Sequence, residues 1–199
     1  MQPDSARSRS MEETRRRILD VALEALGRDP DASMADIAAA ASVVRRTVYG
    51  HFPTRTDLVR TLAQQAADEM AAELGAASTS HDDPATAWAD FVARVWPLTH
   101  RYRVLLALRR GEYGGDIHAV LEPVDQALAR LVTRGQEVGE FGRHLPAGLL
   151  SQLAYGTVFT VADGHLAGET VDHRAAAVTS LLVLGVPEQR ARALADGDA

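Results

Sequence analysis

Apolar residues recur every three to four positions over nearly the whole chain, and two-residue alternation never runs for long, so the pattern predicts an all-α protein. Ile18, Leu19, Ala22, Leu23, Ala25 and Leu26 share the inner side of a first helix predicted from about Glu12 to Gly27. Residues 1–10 are polar and are predicted to form a disordered tail, and Asp29-Pro30-Asp31 reads as a loop. Ser33-Met34-Ala35-Asp36 is a capping box with Asp in the Glu place. It opens a second helix whose Met34, Ile37, Ala38 and Ala41 make one buried face. After a break at Ser42, a short third helix is predicted from about Val44 to Gly50. Thr54-Arg55-Thr56-Asp57 is another capping box, opening a long fourth helix to about Leu74. Gly75 to Pro84 reads as a polar linker. Beyond it, helices are predicted at about 84–99, 101–111, 116–138, 146–167, 171–185 and 187–195.

Composition narrows the function classes. The chain has 199 residues, no cysteine and a net charge of −6. Disulfides, thiolate metal sites and cysteine nucleophiles are therefore excluded. No apolar run is long enough for a membrane span, and the N-terminus lacks the apolar centre of a secretory signal. A cytoplasmic location is the expectation. All 21 basic residues are Arg, and their placement matters more than the total. Residues 1–60 hold 10 Arg against 9 acidic groups, while residues 61–199 hold 11 against 18. The first part is the less acidic one, with its Arg in short clusters.

Three short helices followed by a capped long one make a helix-turn-helix layout. The stretch from Ile37 to Phe52, followed by Pro-Thr-Arg-Thr-Asp-Leu58, resembles the DNA-binding signature of the tetracycline-repressor (TetR) family. That family typically shows an Ile-Ala pair, a Gly-Val turn, Thr-Leu-Tyr, His-Phe and a Lys-bearing cap. Ile37-Ala38, Val43, Thr47-Val48-Tyr49, His51-Phe52 and Thr54-Arg55 match in order and spacing. The resemblance covers about residues 12–60. It implies a three-helix DNA-binding domain at 11–58, joined through a long fourth helix to a helical ligand-binding and dimerisation domain at 59–199. It also implies a homodimer that binds a palindromic double-stranded operator as a repressor and is released by a small molecule. Cofactors and metals are not expected.

The residues support this on physical grounds. A recognition helix needs one face for the core and another for the major groove. Val43, Val48 and Phe52 suit the inner face. Arg45 and Arg46 can make bidentate contacts to guanine, each discriminating by about 1–3 kcal/mol. Thr47, Tyr49, His51 and Arg55 suit phosphate oxygens, and Ser33, the cap of the second helix, is a further candidate DNA-binding residue. Arg15, Arg16 and Arg17 can touch the flanking backbone, and Arg7 and Arg9 a minor groove. Three residues depart from the family pattern. Ser42 stands where Gly is usual, which costs roughly 1–2 kcal/mol if the turn needs a positive φ. Val44 replaces the usual capping Ser or Thr, and Arg46 stands where small residues are common.

The remainder carries weaker signals. Trp88, Phe91, Val92, Val95 and Trp96 form a helical stripe that reads as core or as a pocket wall. Trp88, Phe91, Trp96, His100, Tyr102, Tyr155 and Phe159 are the candidate ligand-binding set, with Tyr113, His118 and Asp163 as further lining. Leu149, Leu153, Gly156, Thr160, Gly164, Val178, Leu181 and Leu182 are the candidate dimer interface, on the two helices that the family uses for it. The alternatives are a helical enzyme or an interaction adaptor that has lost DNA binding. None of the 11 Glu residues has His three positions later, and no zinc-protease, P-loop or Gly-x-Ser-x-Gly motif occurs.

Overall fold

The computed structural model describes residues 3–164 and 171–197. Among them are ten helices and no strand. They are α1 (Pro3–Arg28), α2 (Met34–Ala40), α3 (Arg45–His51), α4 (Arg55–Ser80), α5 (Pro84–Arg101), α6 (Arg103–Arg109), α7 (Gly114–Glu137), α8 (Ala147–Asp163), α9 (His173–Val183) and α10 (Glu188–Asp196). None of the described helices is long and apolar enough to cross a membrane.

The chain separates into two compact units. The first comprises Met1–Gln65 together with Val104–Val120, and the second comprises Ala66–Arg103 with Leu121–Ala199. The first unit thus takes in α6 and the start of α7 as well as the N-terminal helices. Ile18, Ala22 and Leu26 of α1, Ile37 of α2, Val48 of α3 and Leu58, Val59 and Leu62 of α4 are all fully buried. Both predicted capping boxes are formed. Asp36 N–H donates to Ser33 Oγ at 3.3 Å, and Ser33 N–H donates back to Asp36 Oδ2 at 2.9 Å. The Ser33 hydroxyl and backbone bonds hold the Asp36 carboxyl below the usual carboxylate range. Thr54 and Asp57 repeat the arrangement at the start of α4, with reciprocal bonds of 3.0 and 3.1 Å.

Two boundaries differ from the sequence expectation. The first helix begins at Pro3, so residues 3–10 are helical and not a loose tail. The fourth runs through Gly75 to Ser80, where a linker was expected. Leu74 and Ala77 are buried on its inner side, and burial outweighs the local cost of Gly and Ser in a helix. Thr79 and Ser80 return their hydroxyls to the Gly75 and Ala76 carbonyls, at 2.8 and 2.9 Å, which satisfies groups that would otherwise favour a turn.

The second unit is built around α5, α8, α9 and α10. α5, α8 and α9 pack on one another, and Trp88, Phe91, Val92 and Val95 of α5, Leu150, Ala154 and Val158 of α8 and Ala176, Ala177 and Leu181 of α9 are all buried. Asp83 caps α5 by accepting from Thr86 N–H at 2.8 Å, with Pro84 in the first turn, where its missing N–H costs nothing. α8 ends at Gly164, whose φ of +50 places it in the left-handed region. The expected continuation to 167 lies outside the described residues.

Candidate nucleic-acid interface

The turn between α2 and α3 decides how α3 is presented. Ser42 has φ +56 and is the one non-glycine residue with positive φ among those described. Val43 N–H reaches back to the Ala38 carbonyl at 3.0 Å, and Ser42 N–H to Ala39 at 3.1 Å. This closes α2 in the manner that normally uses Gly. Val44 then caps α3 in extended backbone with no side-chain hydrogen bond, its side chain largely in solvent. The two departures from the family pattern therefore sit where the backbone would prefer Gly and a hydroxyl. Ser42→Gly is expected to stabilise the protein by about 1 kcal/mol, the left-handed penalty less the extra freedom of unfolded Gly. Val44→Ser should add about 1 kcal/mol through a new N-cap. Thermal melts of each variant check both, and a loss of stability would refute the reading of the turn.

α3 has a dry back and a wet front. Val48 is fully buried, Phe52 is 1% exposed, and Val43 is half-buried. Arg45, Arg46 and Tyr49 are exposed, with Thr47 and His51 at the margins. The His51 ring lies tilted against Phe52, with centroids 6.2 Å apart. Arg15 stacks over the same Phe52 ring, 4.9 Å from its centre, while Arg16 and Arg17 are exposed. Ser33 is spent on its cap. Its hydroxyl donates to Asp36 Oδ2 at 2.6 Å.

Arg55 departs from expectation. Its side chain is only 21% exposed, and its guanidinium donates to the carbonyls of Pro30 and Ala32 and to the Tyr113 hydroxyl. In this structure the guanidinium is thus engaged by acceptors of the protein itself. Tyr113, expected beside a ligand, instead belongs to the first unit. The signal that could have found it is the Gly-rich turn 111–115, which has the composition of a tight connection and not of a pocket wall.

In the second unit the candidate aromatic residues fall into three groups. Phe91, Tyr155 and Phe159 form a continuous run, with centroids 5.9 and 4.8 Å apart, and Trp88 meets Phe91 edge-on at 6.3 Å. Tyr155 Oη donates to Met70 Sδ at 2.8 Å. Tyr102 is buried, its hydroxyl donating to Glu69 Oε1 at 2.7 Å. Trp96 and His100 pair separately toward solvent, 5.1 Å apart. An open groove of about 460 Å³ between α9 and α10, lined by Arg174, Val178, Leu182 and Arg192 among others, includes none of them.

Leu149, Leu153, Gly156 and Thr160 are exposed at spacings of four, three and four, a single face of α8. A Cβ on Gly156 would meet nothing within 4 Å among the described residues, so that none of them packs on this position. Leu182 is exposed on α9 and Val178 half-buried. Leu181 is fully buried in the chain's own core, and Gly164 is the C-cap of α8, four residues beyond Thr160.

A buried-backed short helix that follows a tight turn and faces arginines outward defines a helix-turn-helix protein. Residues 18–62 match the family model described as bacterial regulatory proteins, tetR family. The chain thus resembles the tetR family over this domain. It is 42% identical over 94 residues to the HTH-type transcriptional repressor LfrR of Mycolicibacterium smegmatis, and the match spans 47% of each chain. The chain thus matches about half the length of that curated relative. The fatty acid degradation regulator FadR from Bacillus halodurans shares the fold with a TM-score of 0.73 and 22% identity, over 85% of this chain and 94% of that one. AibR, solved in complex with isovaleryl coenzyme A and operator DNA, gives 0.68 at 14% identity, over 88% and 98%. At such identities these two likenesses are of fold.

Proposed function

We propose that the protein is a ligand-responsive transcriptional repressor, not an enzyme, that binds a palindromic operator as a homodimer and is released by a small molecule. The observation that carries this is α3, whose Val48 is buried while Arg45, Arg46 and Tyr49 face solvent on consecutive turns. Arg45 and Arg46 read base edges, and Thr47, Tyr49 and His51 hold phosphates. Similarity to the repressor LfrR supports the repressor role. The shared fold with AibR, whose complex contains isovaleryl coenzyme A and operator DNA, supports an operator and a small organic effector. The exposed face of α8, with Leu182 of α9, supplies the apolar surface through which two chains pair. The pairing sets two recognition helices about 34–36 Å apart on one side of the duplex. The run of Phe91, Tyr155 and Phe159 is the apolar wall for the effector. Working on DNA, the protein resides in the cytoplasm.

The test is a salt titration of binding to a duplex selected by the protein from a randomised pool. The expected slope of log K against log salt is about −5 to −9, for some six to ten phosphate contacts. Tyr49→Ala should abolish binding while leaving the dimer intact in sedimentation. A slope near zero, or unchanged affinity in the Tyr49 variant, would reject the assignment.

A further inference from the structure

The guanidinium of Arg55 ties together three stretches of the first unit that lie far apart in sequence. It donates from Nη2 to the Pro30 carbonyl and from Nε to the Ala32 carbonyl at 3.3 Å, both in the loop that leads into α2. From Nη1 it donates to Tyr113 Oη at 2.7 Å, and its central carbon lies 5.2 Å from the middle of the Tyr113 ring. The Glu112 carboxylate stands 3.9 Å away. Further along α4, Arg60 pairs with Asp116 at 2.5 Å and reinforces the same junction. A planar fork of five N–H donors suits this set of acceptors, which a Lys could only partly satisfy.

Tyr113 is itself held in place. It is 7% exposed, at the turn between α6 and α7. Gly114 N–H bonds to the Gly111 carbonyl at 3.1 Å, and a Cβ on Gly114 would stand 2.5 Å from the Arg109 carbonyl oxygen. The turn is thus built tightly enough to aim the ring. Burial, with Glu112 alongside, pushes the Tyr113 hydroxyl above its ordinary value, so it stays neutral at physiological pH.

The loop that Arg55 grips ends at Ser33, the cap of α2, and α2 packs on α3. Both helices have seven residues, too few to hold their own geometry. Reading base edges requires placement to about half an ångström. We propose that Arg55 and Tyr113 are positioning residues for DNA recognition: they clamp the α6–α7 turn to the loop before α2, and so align α2 and α3 for the groove without touching DNA. This rests on the regulator reading above.

The experiment compares wild type with Tyr113→Phe, Arg55→Lys and Arg55→Ala. Binding is measured across a salt series to the duplex of about 30 base pairs, enough for two half-sites, that the wild type selects from a randomised pool. Tyr113→Phe keeps the ring and removes one charge-assisted hydrogen bond, and is expected to weaken binding about tenfold. Arg55→Ala should weaken it further, and Arg55→Lys should recover part of the loss. All three should keep the wild-type salt slope to within about half a unit, because no phosphate contact is lost. Circular dichroism identifies any variant that fails to fold, and the two conservative variants then decide. A slope shallower by about one unit per half-site in Arg55→Ala, with Tyr113→Phe at wild-type affinity, would make Arg55 a phosphate ligand and overturn the clamp. Wild-type affinity in all three variants would overturn it too. A wild-type protein that selects no duplex sinks the regulator reading itself, and the clamp with it.

Discussion

Replacing Arg45 by Ala is expected to weaken operator binding by about 2–6 kcal/mol, roughly thirty- to twenty-thousand-fold, and to flatten base preference at the positions it reads. The size follows from geometry. A bidentate Arg–guanine contact discriminates by about 1–3 kcal/mol, and a dimer makes it twice. Arg45 opens α3 and is exposed, so the fold loses little with it, within about 0.5 kcal/mol for such surface sites. The Asp36 carboxylate is the nearby charge that feels it, which leaves no buried partner stranded by its removal. Selection from a randomised pool by wild type and variant is the measurement. A variant that returns the same base preference would remove Arg45 from the readout and pass the role to Arg46, its exposed neighbour.

Trp88→Ala is expected to destabilise the second unit by about 3–5 kcal/mol. Trp88 is fully buried, meets Phe91 edge-on, and donates from Nε1 to Ser180 Oγ at 3.0 Å. Truncation leaves a cavity and removes one donor from a hydroxyl that is itself fully buried. Ser180→Ala, by contrast, should cost less, about 1–2 kcal/mol, since it removes little volume but leaves the buried Trp88 N–H without its acceptor. Urea unfolding followed by circular dichroism separates the two. A loss below about 2 kcal/mol in Trp88→Ala would mean that the surroundings collapse into the space, and would restore Trp88 to the wall of an adaptable pocket.

The contrast between these residues shows where sequence reasoning was strong. Apolar spacing and caps are local properties, so α2, the start of α4 and the buried face of α3 were legible from Ser33, Asp36, Thr54, Asp57 and Val48. The left-handed turn at Ser42 was legible as well, because a residue standing where Gly is usual points to the backbone angle. Boundaries inside Ala-rich segments were not. Gly75 to Ser80 has loop composition, and only the burial of Leu74 and Ala77 carries the helix through it.

Side-chain destination was the least legible property of the site. Arg45 and Arg55 look alike in sequence, each an Arg near a helix start. One is solvent-facing and the other is engaged by two loop carbonyls and a tyrosine 58 residues away. Leu181 and Leu182 are adjacent and chemically identical, yet one belongs to the core and the other lies at the surface.

What the chain order settled alone was whatever a few neighbouring residues can enforce: helix after helix, a closed turn before α3, arginines on its outer side. Which arginines stay in solvent, which leucines stay exposed, and which distant turn meets Arg55 were decided by packing. These outcomes depend on what arrives from elsewhere in the chain to meet each side chain, and no window of local sequence contains that information.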